Sequence, residues 1–130
     1  MVNDVLSKKR ALVVDDEPLV SAAVCMLLEF DGYDVEKAGD GQGALAKAAD
    51  AKFDLILVDY DMPGMKGDEL AANLRQRLPQ IPIIMLTAHG EMLRATAQPI
   101  AGIDLIVDKP FRLEILRASV ARAFSMHAAA

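Results

Sequence analysis

Residues 54–59 read Asp-Leu-Ile-Leu-Val-Asp, and Tyr60-Asp61-Met62-Pro63-Gly64 follow at once. The apolar run from Leu55 to Val58 has no alternation in it, which marks a strand covered on both faces rather than one with a wet side. Residues 11–15 (ALVVD) and 81–87 (IPIIMLT) have the same character. Between such runs lie longer stretches of helical period, and this alternation is the pattern of βα units around a parallel sheet. Five strands are expected, at 10–15, 33–37, 54–59, 81–87 and 103–108.

The helical stretches carry their own stripes and stops. Val20, Val24, Leu27 and Leu28 share one face of the first, with Pro18 near its start and Gly32 just past its end. The second starts after Asp40, an N-cap residue type, with Leu45, Ala48 and Ala49 inward. Leu70, Leu74 and Leu78 line the third before Pro79 ends it. The fourth, at 91–98, is short and truncated by Pro99. The fifth covers 111–125 with Leu116, Val120 and Phe124 inward, leaving 126–130 as a frayed tail.

Length and composition restrict what such a sheet can do. A chain of 130 residues, 53% apolar and 25% charged, is expected to form one α/β domain with its core at about 9–125. With 14 Lys and Arg against 19 Asp and Glu, the net charge is −5, a poor match for a nucleic-acid backbone. The longest nearly apolar stretch, residues 19–28, is far shorter than the ~20 residues a membrane span requires. One cysteine, Cys25, and no leader-like start give a cytoplasmic expectation.

In a parallel sheet, binding groups collect where the strands end. The first strand closes in Asp15-Asp16-Glu17, the third in Asp59-Tyr60-Asp61, the fourth in Thr87-Ala88-His89 and the fifth in Asp108-Lys109-Pro110. Carboxylates brought to ~4 Å repel by a few kcal/mol at an effective dielectric near 20, so they require protons or a cation. Mg²⁺ suits them, being held by one or two carboxylates plus a phosphate oxygen. Asp16 and Asp59 are the expected ligands, with Asp15 behind them. Lys109 and Thr87 offer donors to a phosphoryl group, and Asp59 is placed to act as a carboxylate nucleophile.

The motifs VVDDEP at 13–18, LVDYDMPGMKG at 57–67, MLTA at 85–88 and DKPF at 108–111 together resemble the receiver domain of bacterial two-component response regulators. The resemblance implies a doubly wound sheet in the flavodoxin-like order 2-1-3-4-5. It makes Asp59 the phosphoacceptor and Thr87 and Lys109 its partners. It also makes Asp16 a direct Mg²⁺ ligand, Asp15 one that reaches the ion through water, and the Asp61 backbone carbonyl the last protein ligand. It implies a cis Lys109-Pro110 bond. Such a chain is a phosphoacceptor, not an enzyme that turns over an outside substrate. Its donor would be a sensor histidine kinase or histidine phosphotransfer protein. Its output would pass to a downstream protein through the face of the fourth helix, fifth strand and fifth helix, as a monomer or weak dimer and without nucleic-acid or membrane binding.

Two positions depart from the family pattern. Ile106 stands where an aromatic ring usually swings in the fifth strand, and Lys66 where an acid often starts the third helix, at a cost of ~0.3–1 kcal/mol. Other readings of the same residues are weaker. Asp15-Asp16 can cap the first helix. Residues 39–43, Gly-Asp-Gly-Gln-Gly, lack the spacing and lysine of a nucleotide loop. His89 and His127 read as solvated or frayed, and Cys25 as a packed thiol. Asp59-Tyr60-Asp61 also resembles a haloacid-dehalogenase-like phosphatase, but there the second acid pair follows the nucleophile instead of preceding it. The remaining alternative is a receiver-like interaction module that takes no phosphate.

Overall fold

The computed structural model describes residues 8–95 and 101–128. Ten elements follow one another: β1 (Arg10–Val14), α1 (Pro18–Phe30), β2 (Asp34–Ala38), α2 (Gly41–Asp50), β3 (Leu55–Asp59), α3 (Gly67–Arg77), β4 (Ile83–Thr87), α4 (Gly90–Arg94), β5 (Leu105–Asp108) and α5 (Leu113–Ala128). All strand pairs are parallel, and their order is β2-β1-β3-β4-β5. This is the expected doubly wound sheet.

The unbroken apolar run of β3 is explained by what lies on either side of it. Leu55 and Leu57 join a core with Val24, Leu27 and Leu28 of α1 and Leu116 and Val120 of α5. Ile56 and Val58 point the other way, into a core with Ala44 of α2 and Leu70, Ala71 and Leu74 of α3. Each of these strand side chains is fully buried, worth roughly 1.5–3 kcal/mol apiece. The edge strands β2 and β5 are only partly covered, so their sequences read less strongly.

Strand bounds differ from the sequence reading by one or two residues. β1 closes at Val14 and β2 runs one residue later, to Ala38. β3, β4 and β5 start later than expected, β4 only after Pro82, which has no N–H to give to a ladder. Asp40 caps α2 as expected, its carboxylate accepting from the Gly43 N–H at 2.7 Å. Ala49 is exposed, and Gly41 and Ala44 form the buried contact of α2 instead.

The largest correction concerns the end of the chain. Helix α5 continues to Ala128, so residues 126–128 are helical and not frayed. His127 Nε2 lies 2.9 Å from Asp104 Oδ2, which also accepts from Arg75 Nη2 and the Ile83 N–H at 2.8 Å each. A polar anchor at the start of β5 thus holds the last turn, a contact that periodicity cannot reveal. Of the expected fourth helix, Gly90–Arg94 is formed, and residues 96–100 lie outside the described residues, as do 129–130. No described helix is long and apolar enough to cross a membrane.

Because Leu57 faces both α1 and α5, Leu57→Ala should lower unfolding free energy by about 2–5 kcal/mol, whereas Ala49→Ser should stay within about 0.5 kcal/mol. Urea denaturation of the two variants checks this, and similar losses in both would contradict the two-sided core.

Candidate functional site

Register brings the strand ends to one pole. Val14 pairs with Val58, Asp59 with Leu86 and Thr87 with Asp108, so Asp15, Asp59, Thr87 and Lys109 emerge together at the carboxyl edge. The loop after β3 is drawn close over this edge. The Gly67 N–H donates to the Tyr60 carbonyl at 3.1 Å, and a Cβ at Gly67 would lie 2.4 Å from the Asp59 carbonyl oxygen. Only glycine permits that approach. The Lys109-Pro110 bond is cis.

At the centre is the Asp59 carboxylate, 1% exposed. Its Oδ1 accepts from the Asp61 N–H at 3.2 Å and meets Lys109 Nζ at 3.2 Å. Asp15 Oδ1 accepts from the Glu17 N–H at 2.8 Å. The other oxygens, Oδ2 of Asp15 and Oδ2 of Asp59, are buried and have no hydrogen-bond partner. Lys109 Nζ stands 3.5 Å from Asp15 Oδ2, an ionic contact too long for a good hydrogen bond. Buried acceptor oxygens without donors are costly, and a hard cation that takes oxygen ligands is the group that would satisfy them.

The acid set differs from the expected one. Asp15, Glu17 and Asp59 each bring an oxygen within 4.8 Å of the others. Asp16 is exposed at the rim and outside that group. Glu17 was read only as part of an acidic run, yet its Oε1 makes the shortest contact of Lys109, 2.7 Å. Glu17 is the N-cap of α1 but makes no side-chain cap bond; of the Asp15-Asp16 pair read as a possible cap, Asp15 accepts from the Glu17 N–H, just ahead of the helix. Thr87 is fully buried, and its hydroxyl oxygen accepts from the His89 N–H at 2.9 Å. His89 is not merely solvated, because its Nε2 sits 3.0 Å from Asp61 Oδ2 and bridges the loops after β3 and β4.

One further residue was missed by sequence reasoning. Arg94 reaches back from α4 to both oxygens of Asp108, at 3.1 and 2.9 Å, and to the Ile106 carbonyl at 3.1 Å. Ile106 itself is half-buried.

Electrostatics follow from this crowding. Burial first, and the Asp15 charge second, push the Asp59 carboxyl up from 3.8 to about 6, against the opposing pull of Lys109 and the Asp61 N–H. For Lys109, burial by itself disfavours the charged ammonium, but the hydrogen bond it donates to Glu17 and the charges of Asp15 and Asp59 outweigh it and raise its pKa. At neutral pH the site therefore holds an ionised carboxylate beside a firmly charged lysine.

The family model for the response regulator receiver domain matches residues 11–121. The transcriptional regulatory protein ResD of Bacillus subtilis is 40% identical over 108 residues, covering 83% of this chain and 45% of that protein. The alkaline phosphatase synthesis transcriptional regulatory protein PhoP of the same organism is 42% identical over 103 residues, covering 79% and 43%. The chain thus spans somewhat under half the length of these relatives. A CheY-like receiver domain protein of Methanospirillum hungatei superposes with a TM-score of 0.85 at 30% identity, over 94% of this chain and 98% of that one. The response regulator TrrA of Thermotoga maritima, solved in complex with Mg²⁺-BeF, superposes at 0.79 with 33% identity, over 88% and 98%.

The raised Asp59 value fixes the sign of a pH effect. The folded state binds this proton more tightly than the unfolded chain, whose carboxyl titrates near 3.9, so stability falls as pH rises from about 4 to about 6. In metal-free protein this group should remove on the order of 3 kcal/mol across that window. Asp59→Asn should flatten the profile and be the more stable form at neutral pH. Denaturant titrations at a series of pH values check it, and parallel profiles for the two proteins would contradict it.

Proposed function

Since the chain belongs to the response regulator receiver domain family, we propose that Asp59 is its phosphoacceptor, served by Lys109, Thr87 and a Mg²⁺ ion. The observation that carries this reading is the pair of buried, hydrogen-bond-free oxygens on Asp15 and Asp59 beside one ammonium. Asp15, Asp59 and the Asp61 carbonyl would hold the ion, with exposed Asp16 the acid free to turn toward it. Bound there, Mg²⁺ would neutralise charge on the phosphoryl oxygens.

The reaction divides among the chain's own groups. An Asp59 oxygen attacks the phosphorus of a phosphohistidine, the P–N bond breaks, and the imidazole leaves with the bonding pair. An acyl phosphate remains on Asp59. Lys109 offers its ammonium to one phosphoryl oxygen, and Thr87 turns its hydroxyl proton toward another. Water attack on phosphorus later breaks the P–O bond and restores the carboxylate. The domain is in this reading a phosphoacceptor with self-limiting chemistry, acting in the cytoplasm as one receiver unit over 1–130.

Surface chemistry supports a protein donor. Helix α1 is apolar on its outer face as well as its inner one, with Leu19 88% and Phe30 84% exposed and Met26 between them. A helix apolar all round ordinarily has a cover. A groove of about 490 Å³ between Leu19, Val20 and Ala23 on one side and Phe111 and Leu113 on the other ends at Lys109. A helical donor seated there would bring its histidine to Asp59. On activation, the α4–β5–α5 face would carry output to a downstream protein, without an aromatic ring at Ile106.

Acetyl phosphate with Mg²⁺ should add one phosphoryl group to Asp59, seen by peptide mass mapping, and Asp59→Asn or removal of Mg²⁺ should abolish it. Sustained turnover of a small phosphate ester would instead favour a phosphatase. Leu19→Glu should slow transfer from a phosphorylated histidine donor at least roughly tenfold, by about 1.4 kcal/mol of lost docking, while acetyl phosphate labelling stays near the wild-type rate. Equal loss with both donors would count against donor docking on α1.

A further inference from the structure

Of the three acids around Lys109, the one that holds it most closely is not the acceptor. Glu17 Oε1 lies 2.7 Å from Lys109 Nζ, against 3.2 Å for Asp59 and 3.5 Å for Asp15. The Glu17 backbone is tied into the site by its N–H bond to Asp15 Oδ1 at 2.8 Å. Its side chain makes no cap bond to α1 and reaches across to the lysine instead. The two partners differ in setting: the Lys109 side chain is 13% exposed and that of Glu17 56%.

An ammonium has three N–H donors and no means of adding a fourth. A phosphoryl group on Asp59 would bring new oxygens and more negative charge into a cluster that already holds three carboxylates. Every ion pair described for these three acids is with Lys109. Whatever Lys109 gives to the phosphoryl oxygens must come from its present contacts, and the Glu17 contact is the shortest of them.

We propose that Glu17 is a positioning residue that parks Lys109 while the site is empty of phosphate, and that its carboxylate competes with a phosphoryl group on Asp59 for the ammonium. The proposal rests on Asp59 being the phosphoacceptor. Glu17 then acts against occupancy: it steadies the unmodified site and makes the modified one harder to reach. A structural acid at the start of α1 would do something different, since any negative charge there interacts favourably with the helix dipole.

Two substitutions separate these roles. Glu17→Gln removes the charge, whereas Glu17→Asp keeps it but is one methylene too short for the contact. Beryllofluoride, a phosphoryl mimic, is titrated into wild type and both variants at saturating Mg²⁺, followed by amide NMR, with melting curves confirming that all three fold alike. The half-saturating beryllofluoride concentration should fall roughly two- to fivefold in both variants, the range expected for a partly exposed ion pair. A change in Glu17→Gln alone would assign the effect to bulk charge and overturn the proposal. So would unchanged or weakened binding in both. Failure of wild type to bind beryllofluoride would overturn the phosphoacceptor reading itself, an outcome distinguishable from the other two.

Discussion

A carboxylate buried next to another carboxylate is the constraint around which this molecule is arranged. Asp59 and Asp15 are both almost inaccessible to solvent, and each presents an oxygen with no donor. At an effective dielectric near 20 such a pair costs several kcal/mol, and a sheet of this size could bury apolar residues there instead. The apolar strands on both sides make the arrangement sustainable. β3 contributes five buried residues in a row, four of them apolar, and the fifth is the acid.

Lys109 offsets part of that cost, and the way it does so links the elements of the site. Its N–H is bonded to the Thr87 carbonyl at 2.8 Å, its side chain reaches the ends of β1 and β3, and Glu17 ties it to the first turn of α1. Asp61 connects the loop after β3 to His89, whose N–H rests on the Thr87 hydroxyl. Charge at Asp59 is therefore felt by loops leading to α3 and α4. Helix α4 has a weak hold on the sheet: its buried residue is Gly90, and Arg94 fastens it to β5 through exposed polar bonds. A Cβ on Gly90 would lie 1.7 Å from the Asp108 carboxylate, so α4 cannot shift toward β5 without disturbing that bond. Exposed ion pairs of this kind contribute at most about 1 kcal/mol.

Much of this was legible in the residues. Unbroken apolar runs such as Leu55–Val58 announced a parallel sheet because burial on both faces removes any polar alternation, and strand ends rich in Asp, Thr and Lys announced the site. Side-chain direction was not legible. Asp15, Asp16 and Glu17 are three adjacent acids, and only the backbone conformation at the start of α1 decides that the first is buried, the second faces solvent and the third turns to Lys109. Long-range polar anchors were equally hidden. His127 looked like a tail residue because its partner, Asp104, is distant in sequence and lies just before an edge strand. Arg94 reaches Asp108 and the Ile106 carbonyl across elements, a contact that no periodicity encodes.

On the proposed reading, the buried acids persist because a divalent cation takes their unpaired oxygens. The most direct measurement is a Mg²⁺ titration of the metal-free protein followed residue by residue by amide NMR. Saturable shifts concentrated at Asp15, Asp16, Glu17, Asp59, Asp61 and Lys109, and lost in Asp59→Asn, are the predicted result. Shifts spread over the acidic surface without saturation, or a Mg²⁺ response that survives Asp59→Asn unchanged, would contradict it.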